Sequence, residues 1–383
     1  MDKVDQGFDL KAQGKEDASH KLYADIEGVI PPYVLDELAK RNPRNSSYQS
    51  TIDEMSKLSK EGLAHPRARQ DEGGKREVYD AGGQKLARGE TGDKARFEGE
   101  RPTGDREVDQ VYDYTGNVRE FYKQVFGRNS IDDNGMKFVS RVNYGQNFQN
   151  AYWDGVEMTY GRPDASSPFK TFILQDVTGH EITHGITQYE SNLGYQGQSG
   201  ALNESLSDVF GTLVDQWAHH TKARDAHWLI GEGIWKDSIN GRALRDMLHP
   251  GTAYNDTKIG KDPQPADMAH FVNTTKDNGG VHINSGIPNR AFAEFATAVG
   301  GYAWEEPGHI WYKAREIAGS NPDFAKFADA TIQAAKQLGF DNDVAKLEQA
   351  WAKVGVTPSS SGDSGSQDDG SGWMAAAQKK QAA

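Results

Sequence analysis

His180-Glu181-Ile182-Thr183-His184 constrains this chain more than any other stretch, because its spacing suits holding zinc beside a general base. On a helix, residues four apart share a face about one turn apart, so both histidines can offer imidazole nitrogens to one ion. Glu181 projects from a neighbouring angle, close enough to take a proton from a water beside that ion. The stretch must therefore be helical. A third ligand has to come from elsewhere, with one position left for water.

The chain has no cysteine, so that ligand must be a His, Asp, Glu or backbone oxygen. Gly200 to Phe210 supplies a candidate. Leu202, Leu206, Val209 and Phe210 form an apolar helical face, while Glu204 and Asp208, four apart, share another. Glu204 can be the third ligand, and Asp208 can accept the second N–H of a zinc histidine and fix its orientation. The competing reading is a surface carboxylate pair on an ordinary helix.

At 383 residues the chain has room for two domains, each with its own core. Residues 1–75 are polar and charged. Within them Pro31 to Lys40 reads as a short proline-opened helix with Tyr33, Val34 and Leu38 as contact residues. The flanking Arg41–Ser47 and Glu72–Gly74 read as linker, and the whole segment as a disordered tail or a removable pro-region. Residues 76–190 read as β-rich, with one helix over 107–125, and end in the His180–His184 helix. Residues 191–357 read as an α-helical lobe. The predicted helices from there on, with the metal helix itself, cover 176–190, 201–217, 285–299, 307–318, 322–338 and 341–353. The expected fold is α+β in two lobes. Residues 358–383 are rich in Ser, Gly and Asp and read as a disordered tail; Trp373 within it has no assigned role.

His180–His184 followed by Asn203-Glu204 and Ser207-Asp208 resembles the thermolysin-like neutral zinc metallopeptidases. Asn150-Ala151-Tyr152-Trp153-Asp154-Gly155 upstream and Gly279 to Ile287 downstream carry the same resemblance, which runs from about Arg76 to Val356. The short Pro31-Pro32-Tyr33 segment is similar to the protealysin-like branch with its brief pro-regions. The resemblance implies a zinc helix on the cleft floor and an endopeptidase made as a zymogen, with zinc on His180, His184 and Glu204 and with Glu181 as general base. It implies that Tyr195 and His282 stabilise the oxyanion, that Asp277 orients His282, and that Asn203 and Asp208 support the zinc histidines. Asn150 and the backbone carbonyl of Ala151 would hold the substrate amide and leaving nitrogen, and Arg245 a substrate carbonyl. Ile230, Ile234 and Leu244 would line an apolar pocket for the residue after the scissile bond. One calcium ion is expected on Asp176, Asp215 and Glu232; His227 and Leu229 replace carboxylates there and argue against a second.

Two other readings stay open on the sequence: a catalytically quiet zinc- or partner-binding protein of the same fold, and an exopeptidase. A net charge of −13 argues against nucleic acid and anionic membrane as main partners. No run approaches the ~20 apolar residues of a membrane span. Nor does the N-terminus hold an apolar core of signal-peptide length, so synthesis in the cytoplasm is expected, with any export by another route. The expected partners are peptide or protein substrates and the chain's own pro-region as intramolecular inhibitor, with the protein a monomer.

Overall fold

Helices and sheet divide the chain where the apolar periodicity changes. The computed structural model describes residues 26, 28–64, 71–87, 89–90, 92–191 and 193–358. The expected tail after Pro358, Trp373 included, lies outside them, as does most of the stretch before Gly28.

β1 (Arg76–Asp80), β2 (Asp93–Phe97), β3 (Phe138–Tyr144), β4 (Ala151–Trp153) and β5 (Glu157–Gly161) make one sheet in the order β2-β1-β3-β5-β4. β1 and β5 run parallel to β3, and β2 and β4 are antiparallel at the two edges. α3 (Arg106–Phe126) packs on this sheet. It starts where the Asp105 carboxylate accepts from the backbone N–H of Glu107 and Val108, and stops at Gly127, whose φ of 69° ends the turn. Val108, Val111, Tyr112, Val118, Phe121 and Tyr122 lie on its buried face, as their spacing predicts.

α4 (Gln175–Glu190) carries the His180–His184 motif and packs along α5 (Gly197–Ala218), which carries Glu204 and Asp208. Glycine makes this crossing close. A Cβ on Gly211 would lie 2.6 Å from the Asp176 carbonyl, and one on Gly185 would lie 2.8 Å from the Trp153 ring. The roughly 1 kcal/mol that glycine costs inside a helix is offset by bringing α4 against its neighbours. The second lobe continues through α6 (Asp277–Asn284), α7 (Gly286–Val299), α8 (Glu306–Ala318), α9 (Phe324–Gln337) and α10 (Val344–Lys353). The bounds of α7 to α10 follow the sequence expectation closely, whereas α6 was not among the predicted helices.

The N-terminal region departs from expectation. α1 (Pro32–Arg41) is the predicted short helix, but a second, α2 (Ser46–Glu61), stands in a polar stretch where no helix was expected. Asn45 caps it by accepting from the Ser47 N–H. Its apolar stripe is thin: Tyr48, Thr51 and Leu58 are its buried contacts besides Ser47. Stability there comes from docking rather than from propensity. Val34, Leu35, Leu38 and Tyr48 join the main core, while Ile26 and Leu58 complete a smaller one with Ala81, Tyr144, Phe148 and Tyr152.

Candidate metal and catalytic site

One turn of α4 brings the Nε2 atoms of His180 and His184 to 3.1 Å from each other. Glu204 on α5 faces them, with carboxylate oxygens 3.7 Å and 3.4 Å from those nitrogens. Among the described residues these three form the single group of His, Cys, Asp or Glu whose donor atoms all lie within 4.8 Å of one another. Two imidazoles and a carboxylate are a donor set that suits zinc.

The outer nitrogens are held in turn. His180 Nδ1 meets Asp208 Oδ1 at 2.8 Å, and His184 Nδ1 meets Asn203 Oδ1 at 2.9 Å, so both Nε2 atoms point inward. Burial lowers the His184 pKa to about 4, leaving a neutral imidazole able to donate its lone pair. Burial alone would raise the Glu204 carboxyl, but His282, His184 and His180 outweigh it and hold it at about 2.

Glu181 is buried beside this cluster. Its Oε2 accepts from the Trp153 backbone N–H at 3.1 Å, while Oε1 has no hydrogen-bond partner among the described residues. Burial, then the charge of Glu204, pushes its carboxyl well above the usual range. Such a group takes a proton readily. Across the cleft the Asp277 carboxylate grips His282 twice, at 2.6 Å to Nδ1 and 3.0 Å to the backbone N–H. Tyr195 donates to Glu204 Oε1 and lies 3.4 Å from His282 Nε2. All the residues assigned to catalysis thus converge.

The expected substrate-binding residues are placed unevenly. Arg245 is fully committed on two sides, with Nε 2.8 Å and Nη2 2.7 Å from the Asp208 carboxylate, while its buried Nη1 has no partner among the described residues. Ile230 pairs with Arg245 across the two-residue strands β6 (Leu229–Ile230) and β7 (Arg245–Asp246), which sets Leu244 beside it. Ile230, Ile234 and Leu244 are all buried. Asn150 and Ala151 are already engaged by the N-terminal region. The Asn150 side chain accepts from Ile30 N–H at 2.9 Å and donates to Ile30 O at 3.2 Å, and the Ala151 carbonyl accepts from Val29 N–H at 3.0 Å.

Sequence reasoning missed Gly28 to Ile30 as occupants of this cleft; the Gly-Val-Ile run just before Pro31-Pro32 was the available signal. It also missed Asn289, which donates to Asp208 Oδ2 at 2.8 Å and carries no motif of its own. Calcium is where the geometry falls short. Asp176, Asp215 and Glu232 do line one cavity of about 520 Å³, with His219 and His227. Their oxygens do not gather as a ligand set within the 4.8 Å that the zinc group meets. The Asp176 oxygens accept instead from the backbone N–H groups of Val177 and Gly231.

The comparisons with known proteins decide the family. The description "Thermolysin metallopeptidase, catalytic domain" matches residues 63–188, and "Thermolysin metallopeptidase, alpha-helical domain" matches residues 191–356. The chain belongs to the thermolysin family of metallopeptidases. It is 43% identical to an "Extracellular metalloprotease" of Pectobacterium carotovorum subsp. carotovorum over 86% of this chain and 96% of that one. It is 40% identical to "Protease PrtS" of a Photorhabdus species, over 86% of this chain and 92% of that one. The solved precursor of protealysin, a metalloproteinase from Serratia proteamaculans, superposes with a TM-score of 0.79 at 42% identity, covering 86% of this chain and all of that one. This family member is accordingly a metalloendopeptidase of the protealysin kind, a hydrolase of peptide bonds made with a pro-region. Its family is zinc-dependent. The two-lobed fold expected from the sequence is the one found.

Proposed function

We propose that His180, His184 and Glu204 hold the zinc of this family member, and that Glu181 is the general base of internal peptide-bond hydrolysis. The carrying observation is the pairing of that three-donor cluster with a buried carboxylate oxygen beside it that has no partner among the described residues. When bound, zinc supplies Lewis acidity, which eases deprotonation of a water and polarises the substrate carbonyl. Glu181 Oε1 takes the proton of the attacking water and delivers it to the leaving amine, a role usually worth about 10²–10⁴ in rate. His282, oriented by Asp277, and Tyr195 donate to the oxygen on which negative charge develops. Arg245 Nη1 holds a substrate carbonyl, Asn150 and the Ala151 carbonyl hold substrate amide groups, and Ile230, Ile234 and Leu244 receive an apolar side chain after the cut bond. A peptide blocked at both ends and quenched internally tests this: it should be cut, and a chelator should stop the cutting. Survival of full activity in the chelator would overturn the reading. His282→Ala should lower kcat by about 10²-fold with zinc retained, measured on the same peptide.

Residues 1–75 act, in this reading, as an intramolecular inhibitor. Val29 and Ile30 occupy the very groups assigned to substrate, and Asn45, which caps α2, and Ser47 within it both donate to Asp164 of the catalytic domain. Relatives named extracellular support release from the cell, which fractionation with an antibody tests.

A single calcium ion at the Asp176 cavity is the remaining proposal. Burial, then the charge of Asp215, raises the Asp176 pKa to about 7. The carboxyl is thus neutral in the fold below that value, while the unfolded chain ionises near 3.8. Its stability contribution is therefore present at about pH 4 and lost as pH rises through about 7. Chemical denaturation in EGTA should show wild type losing stability over that window relative to Asp176→Asn. Added calcium should restore it at pH 8; no effect of calcium would remove the ion from the proposal.

A further inference from the structure

We propose that the Gly28–Val29 peptide bond is a self-cleavage site, held in the chain's own cleft in the register of a substrate. The proposal rests on the catalytic reading above. Gly28 bridges Tyr152 in antiparallel fashion, so the segment lies as an added strand against β4 at the open edge of the sheet. Strand addition is a common way for a cleft to take an extended peptide. Three hydrogen bonds fix the register. Val29 N–H reaches the Ala151 carbonyl at 3.0 Å, and Asn150 brackets Ile30 through both its N–H, at 2.9 Å, and its carbonyl, at 3.2 Å. If the Ala151 carbonyl receives the leaving nitrogen, that nitrogen here is Val29 N. The bond in the cutting position is then Gly28–Val29.

Other features agree. β4 also anchors the base, since Trp153 N–H donates to Glu181 Oε2. The residue after the bond, Val29, is apolar and fully buried, as an apolar pocket requires. Gly28 explains how a substrate can also inhibit. A Cβ there would lie 2.6 Å from both the Ala151 carbonyl oxygen and the Asn150 side chain, so this backbone approaches the edge strand more closely than a side-chain-bearing residue could. The segment therefore sits tightly. After Ile30, Pro31 and Pro32 turn the chain into α1, whose docked face keeps the Val29 side in place.

The step balances as a hydrolysis. Water oxygen joins the Gly28 carbonyl carbon, the C–N bond breaks, and Gly28 leaves as a carboxylate and Val29 as an ammonium. The cut separates the chain up to Gly28, removes the Gly28–Tyr152 pairing from the rest of the pro-region, and so loosens the inhibitor.

The full-length zymogen, incubated and followed by intact-mass and N-terminal sequencing, tests this. A Val29 N-terminus should appear in first-order fashion, at a rate independent of protein concentration, because each cleft holds its own bond. It should be absent from Glu181→Gln. Val29→Asp should slow it about tenfold or more, since an acid does not enter an apolar pocket, whereas Val29→Leu should preserve it. The proposal is overturned if active enzyme forms without a Val29 terminus, if Glu181→Gln acquires that terminus too, or if the rate scales with concentration. Zymogen that never shows the Val29 terminus on its own, but cuts the quenched external peptide once an added protease has nicked its pro-region, would sink this inference and leave the catalytic reading standing.

Discussion

Exchanging Glu181 for glutamine should lower cleavage of the blocked, quenched peptide by about 10²–10⁴-fold while leaving zinc content at the wild-type level. The expectation follows from how the two carboxylate oxygens are used. Oε2 is occupied by the Trp153 N–H, and a glutamine oxygen can accept that bond equally well. Oε1 has no partner among the described residues, and it alone stands ready for a proton. Glutamine keeps the volume and the anchor but cannot accept a proton at that atom. His180, His184 and Glu204 are untouched, so the metal should stay. Peptide cleavage within tenfold of wild type would exclude Glu181 as the base, and loss of zinc would show that it does more than move protons. The same variant should accumulate as uncut zymogen, which ties processing to the chain's own chemistry.

The candidate metal site was legible in the sequence because its geometry is local. His180 and His184 need only one helical turn, and Glu204 with Asp208 repeats the same spacing on the next helix. What joins the two helices was less visible. Gly211 against Asp176 is a contact between backbones, and glycine leaves no periodic mark. α2 escaped notice for a different reason: its buried face holds Ser47, Tyr48, Thr51 and Leu58, too little apolar surface to stand out in a polar stretch. The calcium expectation shows the reverse problem. Asp176, Asp215 and Glu232 are spaced along the chain as the resemblance requires and do reach one cavity, yet Asp176 is turned to the backbone of Val177 and Gly231. Spacing places a residue at a site; side-chain direction depends on partners that spacing does not reveal.

Asp208→Ala should destabilise the protein by about 3–5 kcal/mol and weaken zinc binding by about 10–100-fold, although Asp208 is not among the proposed ligands. Its carboxylate is fully buried and accepts from four directions: His180 Nδ1, Arg245 Nε and Nη2, and Asn289 Nδ2, all within 2.8 Å. Burial alone would raise its pKa, but the Arg245 charge and His180 hold it far below the ordinary carboxylate range. Removing it leaves the Arg245 guanidinium buried without its counter-charge and frees the His180 ring to turn. Denaturant unfolding and chelator competition, both in the Glu181→Gln background to prevent self-digestion, separate the two effects. Exchanging Arg245 for leucine in the same molecule should recover part of the stability, because the stranded charge is gone, but none of the zinc affinity, because His180 still lacks its partner. If the double variant instead regained zinc affinity, the orientation of His180 would depend on charge balance rather than on the Asp208 hydrogen bond.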